Sequence, residues 1–178
     1  MSKTPTVAEQ TDHLFRAIGR VVVRFQQVEQ WLAEELAVML RMRERDDQHL
    51  VSAAMSFKQK VDLLVALYPK RKAHDWPEVD ISAIRRALYA AEEFRNRVVH
   101  SFWAIECGDK SRWVRIKGSL RGRGGFSSYT VEASSLALEE CCEALTVICE
   151  WIVSTPESVD EATAVLTKYL QTTVAKTK

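Results

Sequence analysis

The amino-acid sequence predicts an all-α protein, an antiparallel helical bundle of about five helices with a β-hairpin inserted between the third and fourth helices. Two observations favour helices. The 178 residues include only 6 Gly and 4 Pro, too few for a fold with many turns, and apolar residues recur at steps of three and four. A third observation places the hairpin, because residues 106–132 contain all but one of the glycines. We expect a single domain over residues 1–178, with flexible ends at residues 1–11 and 171–178.

The first two helices are predicted from stripes of apolar side chains. Residues 11–42 carry one such stripe, formed by Ile18, Val22, Phe25, Leu32, Leu36 and Met39, and it is interrupted by Glu29. Residues 47–68 carry the second, formed by Leu50, Ala54, Phe57, Val61, Leu64 and Tyr68. A polar loop with two prolines follows at residues 69–78.

The third helix has two contrasting faces. Asp80 is a suitable N-cap, and the helix is predicted to run to about Ile105. Its core stripe consists of Ile84, Leu88, Ala91, Val98, Phe102 and Ile105. The opposite face carries Tyr89, Asn96, His100 and Trp103. Because aromatic side chains are unusual on a solvated helix face, this face predicts contact with a second chain, and Tyr89 and Trp103 are its interface candidates.

The remaining elements have clear boundaries. Residues 112–117 and 126–131 are β-prone runs separated by glycines, which predicts the hairpin. The fourth helix begins after a cap at Ser134, with Thr130 as an earlier alternative. The fifth helix has Thr155 as its cap and Pro156 in its first turn, and it continues through Tyr169.

Composition and charge limit the functions that are expected. The net charge is +1, so any affinity for nucleic acid must come from a local basic patch. No apolar run reaches the ~18 residues of a membrane span, and the amino-terminal residues have no signal region, which predicts a cytoplasmic protein. The four cysteines lack paired C-x-x-C spacing and are interpreted as reduced thiols, with a metal site as the alternative. Neither a metal nor another cofactor is expected.

The segment "EFRNRVVHSFW" at residues 93–103 concentrates functional side chains. Arg95, Asn96 and His100 lie close together in the third helix. Asn96 and His100 are four residues apart and so neighbour each other, whereas Arg95 and His100 point ~140° apart on an ideal helix. In one chain, Arg95 could simply form a structural ion pair with a buried acid such as Glu29.

The motif "RNRVVH" in an all-helical chain resembles the HEPN superfamily. Its ribonuclease members have an arginine, then a polar residue, then a histidine after four to six residues, and Arg95, Asn96 and His100 match those positions. The order of elements over residues 12–153 is also similar. The resemblance implies an antiparallel helical bundle, a two-fold dimer and metal-independent RNA cleavage at the dimer interface. In one toxin branch a tyrosine follows two residues after the histidine, and Phe102 replaces it here.

The three motif residues suit RNA cleavage. The 2′-OH is the nucleophile, histidine can transfer protons near neutral pH, and arginine can hold phosphate oxygens. A dimer would supply two copies of Arg95 and His100, while Asn96 would orient His100 or contact a phosphate. Glu29 is the supporting candidate, as a partner that directs Arg95, or else it only reaches the edge of the bundle.

The hairpin is the candidate RNA-binding surface. Its basic side chains are Arg112, Arg115, Lys117, Arg121 and Arg123, with Lys110 nearby, and aromatic side chains lie among them. A solvated hairpin with glycine turns is the alternative.

We therefore expect a HEPN-type endoribonuclease that acts as a toxin or antiviral defence effector. Its expected partners are RNA, a second copy of the chain, and an antitoxin or other regulatory protein, with no membrane. The alternative is a non-catalytic HEPN-fold dimer that binds nucleic acid or protein.

Overall fold

The computed structural model describes residues 6–71, 79–107, 111–121 and 125–171, and for residues 117–121 and 125–129 it describes the backbone alone. Within these ranges the chain is mostly helical, with a small antiparallel sheet of three strands. The helices are α1 (Val7–Met39), α2 (Arg45–Ala54), α3 (Phe57–Arg71), α4 (Ile81–Val99), α5 (Ser135–Cys149) and α6 (Pro156–Gln171). The strands, β1 (Phe102–Glu106), β2 (Arg112–Arg121) and β3 (Gly125–Glu132), lie between α4 and α5 in the chain.

Helix α1 is the central element, since α3, α4 and α5 all pack against it. Its buried side chains recur at steps of three and four, and they include Leu14, Val21, Phe25, Val28 and Leu32. Val22, which the sequence assigned to this stripe, is 37% exposed. The helix begins earlier than the sequence predicted. Thr6 and Glu9 form a capping box at its start, so residues 7–11 are helical and only residues 1–5 of the predicted flexible end lie outside the described part.

The second predicted helix is two helices, α2 and α3, which meet at Met55 and Ser56. A second capping box explains the break. The backbone N–H of Gln59 donates to Ser56 Oγ at 3.3 Å, and the Gln59 side chain accepts from the Ser56 N–H at 2.8 Å, which starts a new helix at Phe57. At its other end α3 includes Pro69 and Arg71, so the predicted loop begins later than Pro69; its residues 72–78 lie outside the described ranges.

The third predicted helix, α4, ends six residues before Ile105. Its cap at Asp80 is confirmed, because the carboxylate accepts from the Ser82 N–H at 2.9 Å. The helix stops at Val99, and the chain then enters β1. Phe102 and Ile105 are therefore strand residues and are 68% and 40% exposed. Their assignment to the core stripe was wrong, because the helical spacing does not continue past His100.

The strands form one sheet in the order β1-β2-β3, where the sequence predicted a two-stranded hairpin. The sheet rests on helices at two points along β2. The indole N–H of Trp113 donates to Thr11 Oγ1 of α1 at 2.9 Å, and the Arg115 guanidinium lies 5.1 Å from the ring centre of Tyr169 on α6. These contacts fix the sheet against the start of α1 and the end of α6.

The last two helices begin where the sequence predicted. Ser134 Oγ accepts from the Ala137 N–H at 3.1 Å, and Thr155 Oγ1 accepts from the Ser158 N–H at 3.2 Å. Helix α6 continues to Gln171, and residues 172–178 of the predicted flexible end lie outside the described part. The centres of the Phe94 and Tyr169 rings lie 5.0 Å apart, with the rings edge to face. The end of α6 therefore also supports the second half of α4.

Candidate functional site

His100 occupies the end of α4. It is the C-cap residue, and its backbone N–H donates to the Asn96 carbonyl at 3.0 Å. The His100 side chain is exposed, while that of Asn96, one turn earlier, is half-buried. An exposed imidazole at a helix end can exchange protons with solvent or with a bound molecule.

Arg95 points in a different direction, toward α1. The centre of its guanidinium lies 4.4 Å from the centre of the Phe25 ring, a cation–π contact. The side chain is half-buried, and its Nε is buried without a hydrogen-bond partner. Because Arg95 packs inward while His100 is exposed, one chain does not bring the two side chains into a shared site, as the helix geometry had indicated.

The other arginines of α4 show that the state of Arg95 is distinctive. Arg97 binds Glu93 at 2.7 Å and the Leu170 carbonyl at 2.6 Å, and Arg85 binds Asp62 at 2.8 Å. Arg86 is 4.0 Å from Asp80. Within the described part of the chain, Arg95 has neither an ion pair nor a hydrogen bond. No carboxylate among these residues neutralises its positive charge.

Glu29 pairs with Lys60 rather than with Arg95. Glu29 Oε1 accepts from Lys60 Nζ at 2.9 Å, and the two side chains are 27% and 5% exposed. The sequence had proposed Arg95 as the partner because Lys60 was not recognised as a core-facing residue. The signal was present, since Phe57, Lys60, Val61 and Leu64 have the spacing of one helix face. Glu29 therefore connects α1 to α3 and does not direct Arg95.

Tyr89 and Trp103, the predicted interface residues, are half-buried and hydrogen-bonded within the chain. The Tyr89 hydroxyl donates to Asp62 at 2.6 Å, and this bond, with help from Arg85, lowers the pKa of Asp62. The Trp103 indole N–H donates to the Val98 carbonyl at 3.0 Å. Neither side chain stands free on an outer face.

Two exposed apolar side chains, which the sequence did not assign to the surface, lie beside His100 in the chain. Val99 is 43% exposed and Phe102 is 68% exposed. Sequence reasoning placed Phe102 in the core because it continued α4 as a helix past Val99, and it gave Val99 no role. The short apolar run "FWAI" after His100 and Ser101 is compatible with a strand and could have revealed the change.

The predicted RNA-binding residues differ in their exposure and in their contacts. Arg112 is exposed but lies between two carboxylates, at 2.7 Å from Glu106 and 3.3 Å from Glu132. The hydrogen bond with Glu106 is the main cause of the raised pKa of Arg112. Arg115 is only 3% exposed and stacks on Tyr169, so it is not a surface residue. The side chains of Lys117 and Arg121 lie outside the described part, as do Lys110 and Arg123 entirely.

Other features bear on the class of site. No group of three His, Cys, Asp or Glu side chains is placed to hold a metal ion in the described ranges. Over the same ranges, no helix is both long enough and apolar enough to cross a lipid bilayer. Burial raises the pKa values of Cys141, Cys142 and Cys149, which makes these thiols poor nucleophiles.

Comparisons with protein-family models, with curated proteins and with solved structures find no match for this chain.

Proposed function

We propose that the chain is a HEPN-like, metal-independent endoribonuclease whose active site is completed by a second copy of the chain. The observation that carries the proposal is the pairing of two features at the end of α4: an exposed His100 and an Arg95 with no anionic partner among the described residues. RNA supplies the complementary chemistry, a phosphate for the arginine and a 2′-OH proton for the histidine.

The composite site follows from the directions of the side chains. Within one chain Arg95 faces Phe25 and His100 faces solvent. A two-fold axis beside His100 would place the histidine of each chain opposite the end of α4 in the other chain, where that chain's Arg95 and Asn96 lie. One His100 then removes the 2′-OH proton while the other protonates the departing 5′-oxygen, and the guanidinium stabilises the charge on the phosphorane. Val99 and Phe102 supply apolar area for the contact.

The experiment is an RNA cleavage assay with purified protein in EDTA. We expect cleavage of RNA and not of DNA, which lacks the 2′-OH, with products that end in a 2′,3′-cyclic phosphate. Arg95→Ala and His100→Ala should each reduce the rate by ~10²–10⁴-fold, the usual contribution of such groups. Arg86→Ala and His13→Ala are the matched controls, because both side chains are exposed, Arg86 belongs to the first half of α4 and His13 to α1.

Two results would contradict the proposal. Cleavage by His100→Ala at the wild-type rate would remove the assignment of the histidine. Absence of cleavage by the wild type, across RNAs of varied sequence and structure, would favour the second candidate, a non-catalytic HEPN-fold dimer that acts as a binding module. The inward position of Arg95 on Phe25 is the observation that favours this second candidate.

As an effector of this kind, the protein would act as a toxin or in antiviral defence, with an antitoxin or other regulatory protein as its partner. Co-expression with neighbouring genes would test that role: rescue of growth by a neighbour supports it, whereas harmless expression of the chain alone in its own host contradicts it.

A further inference from the structure

A polar groove lies along α1, on a part of the molecule that does not include Arg95, Asn96 or His100. Its volume is about 990 Å³. Side chains of α1, α2, α3 and α5 line it, among them Trp31, Ser52, Ala53 and the pair Glu29 and Lys60. A groove bounded by four helices offers walls in several directions, as ligand sites do.

The Glu29–Lys60 pair in this groove has unused hydrogen-bonding capacity. The Lys60 ammonium has three N–H donors, and one of them binds Glu29 Oε1 at 2.9 Å. No other bond to the ammonium, and none to Glu29 Oε2, is found among the residues described. Lys60 is 4% exposed and lines the groove, so an occupant of the groove is the partner that its remaining donors can reach, and a buried charge with unmet hydrogen bonds is costly.

The amide side chains of the groove do not meet this need. Gln27 accepts from Arg24 at 2.8 Å, and Gln30 donates to Glu34 at 2.8 Å. Both are therefore engaged with neighbours on α1, and no hydrogen bond from Gln26, the third amide of the lining, to the pair is found among the described residues. The pair is left with a free carboxylate oxygen beside free ammonium donors, so the complementary ligand carries an ammonium next to a carboxylate.

We propose that this groove binds a free α-amino acid. Its ammonium would donate to Glu29 Oε2, and its carboxylate would accept from Lys60. The ligand's side chain would then lie along the groove against Trp31. A zwitterion satisfies both members of the pair at once, whereas a simple anion or a simple cation satisfies only one.

The charges around the groove predict which amino acids bind best. The lining includes three carboxylates, from Glu29, Glu34 and Glu150, but only two permanent cations, from Arg24 and Lys60, together with His49. A basic side chain therefore complements the surroundings and an acidic one is repelled. We expect arginine and lysine to bind more tightly than neutral amino acids, and glutamate and aspartate to bind least.

Helix α2 provides a way to block the groove without disturbing the pair. It has no buried residue, and Ala53 lines the groove whereas Ala54, the next residue, does not. Both alanines are exposed. Ala53→Trp should therefore fill the groove, and Ala54→Trp is its matched control, with the same change in size and the same helix.

Isothermal titration calorimetry of the full chain with single amino acids tests the proposal. We expect saturable binding of L-arginine or L-lysine, and at least tenfold weaker binding of analogues that lack the α-ammonium or the α-carboxylate. Ala53→Trp should weaken binding at least tenfold, while Ala54→Trp should bind as the wild type does. If no amino acid binds the wild type at 10 mM, or if Ala53→Trp binds unchanged, the groove is not an amino-acid site.

Discussion

Glu29 and Lys60 illustrate how much a single ion pair contributes when one partner is buried. Because Lys60 is almost fully buried and Glu29 is its acceptor, Glu29→Gln leaves the ammonium uncompensated. We expect the change to lower the free energy of unfolding by about 1–3 kcal/mol, less than for a fully buried pair because Glu29 retains some exposure. Urea denaturation measures the loss.

Two double-mutant cycles, which combine Glu29→Gln with Lys60→Met or with Arg95→Met, identify the partner of Glu29. With Lys60→Met the effects should be strongly non-additive, because either change alone breaks the same bond. With Arg95→Met they should simply add, since Arg95 packs on Phe25 instead. Coupling to Arg95 rather than to Lys60 would show that the observed pairing is not the one that stabilises the protein.

The raised pKa of Glu35 makes the stability of the folded protein depend on pH. Burial, with repulsion from Glu34, raises the pKa of Glu35 from 4.5 to about 6, and its Oε2 is buried without a partner. A raised pKa means that the folded state favours the neutral acid. The charged form therefore opposes folding above about pH 6, and this effect disappears as the pH falls through 6 toward 4.5.

Glu35→Gln should accordingly raise the free energy of unfolding at pH 7.5 by about 1 kcal/mol, a value discounted for the partial exposure of the carboxyl. At pH 4.5 the substitution should have little effect. Thermal denaturation at both pH values makes the comparison, with the exposed Glu161→Gln as control. An equal gain at both pH values would mean that ionisation is not the cause.

At the scale of the elements, sequence reasoning located three helix starts that are each encoded by a single capping side chain. The caps at Asp80, Ser134 and Thr155 are all present, because a cap is formed by a side chain and a backbone N–H two or three residues away. The break between α2 and α3 was missed although its signal was local too, since "SFKQ" has the pattern of a capping box.

The sequence did not reveal which residues that are far apart in the chain contact each other. Nothing within a few residues of Glu29 shows that Lys60, and not Arg95, will lie beside it. Likewise, the end of α4 at Val99 depends on pairing between β1 and β2, for example Phe102 with Ile116. The candidate site was predicted as Arg95, Asn96 and His100 of one motif. The spacing of a helix already indicated that Arg95 and His100 point in different directions.

The capping box at the start of α3 makes a measurable contribution. Ser56→Ala removes the hydroxyl that accepts from the Gln59 N–H, and this should cost about 1 kcal/mol of stability, the usual value of an N-cap. Ser82→Ala is the matched control, because Ser82 is exposed in the first turn of α4 and its N–H, not its hydroxyl, takes part in the cap there. Equal effects of the two changes on chemical denaturation would contradict the role of the cap.

For the whole molecule, the proposed function requires a dimer around the end of α4. Size-exclusion chromatography with light scattering should give about twice the chain mass of 20.3 kDa. Val99→Glu and Phe102→Glu should shift the protein toward the monomer and reduce RNA cleavage together, because both place a charge in an apolar contact. Both wild-type side chains are exposed, so the folded monomer should tolerate the changes.

Val153→Glu is the control for the dimer. Val153 is 80% exposed and follows α5 at the end away from the sheet, so a charge there should leave the mass unchanged. A wild-type protein that stays monomeric at tens of micromolar, yet cleaves RNA through His100, would require a site contained in one chain.

The central position of α1 also has a consequence for the order of events during synthesis. Its 33 residues extend about 50 Å at 1.5 Å per residue, and they are synthesised before the helices that cover their apolar stripe. Much of the cover for that stripe comes from α5, whose residues 135–149 follow after α2, α3, α4 and the three strands. Closing so long a loop is slow compared with forming local contacts. Folding of the core therefore waits until α5 has been synthesised, and until then contacts with α3 can cover only part of the stripe.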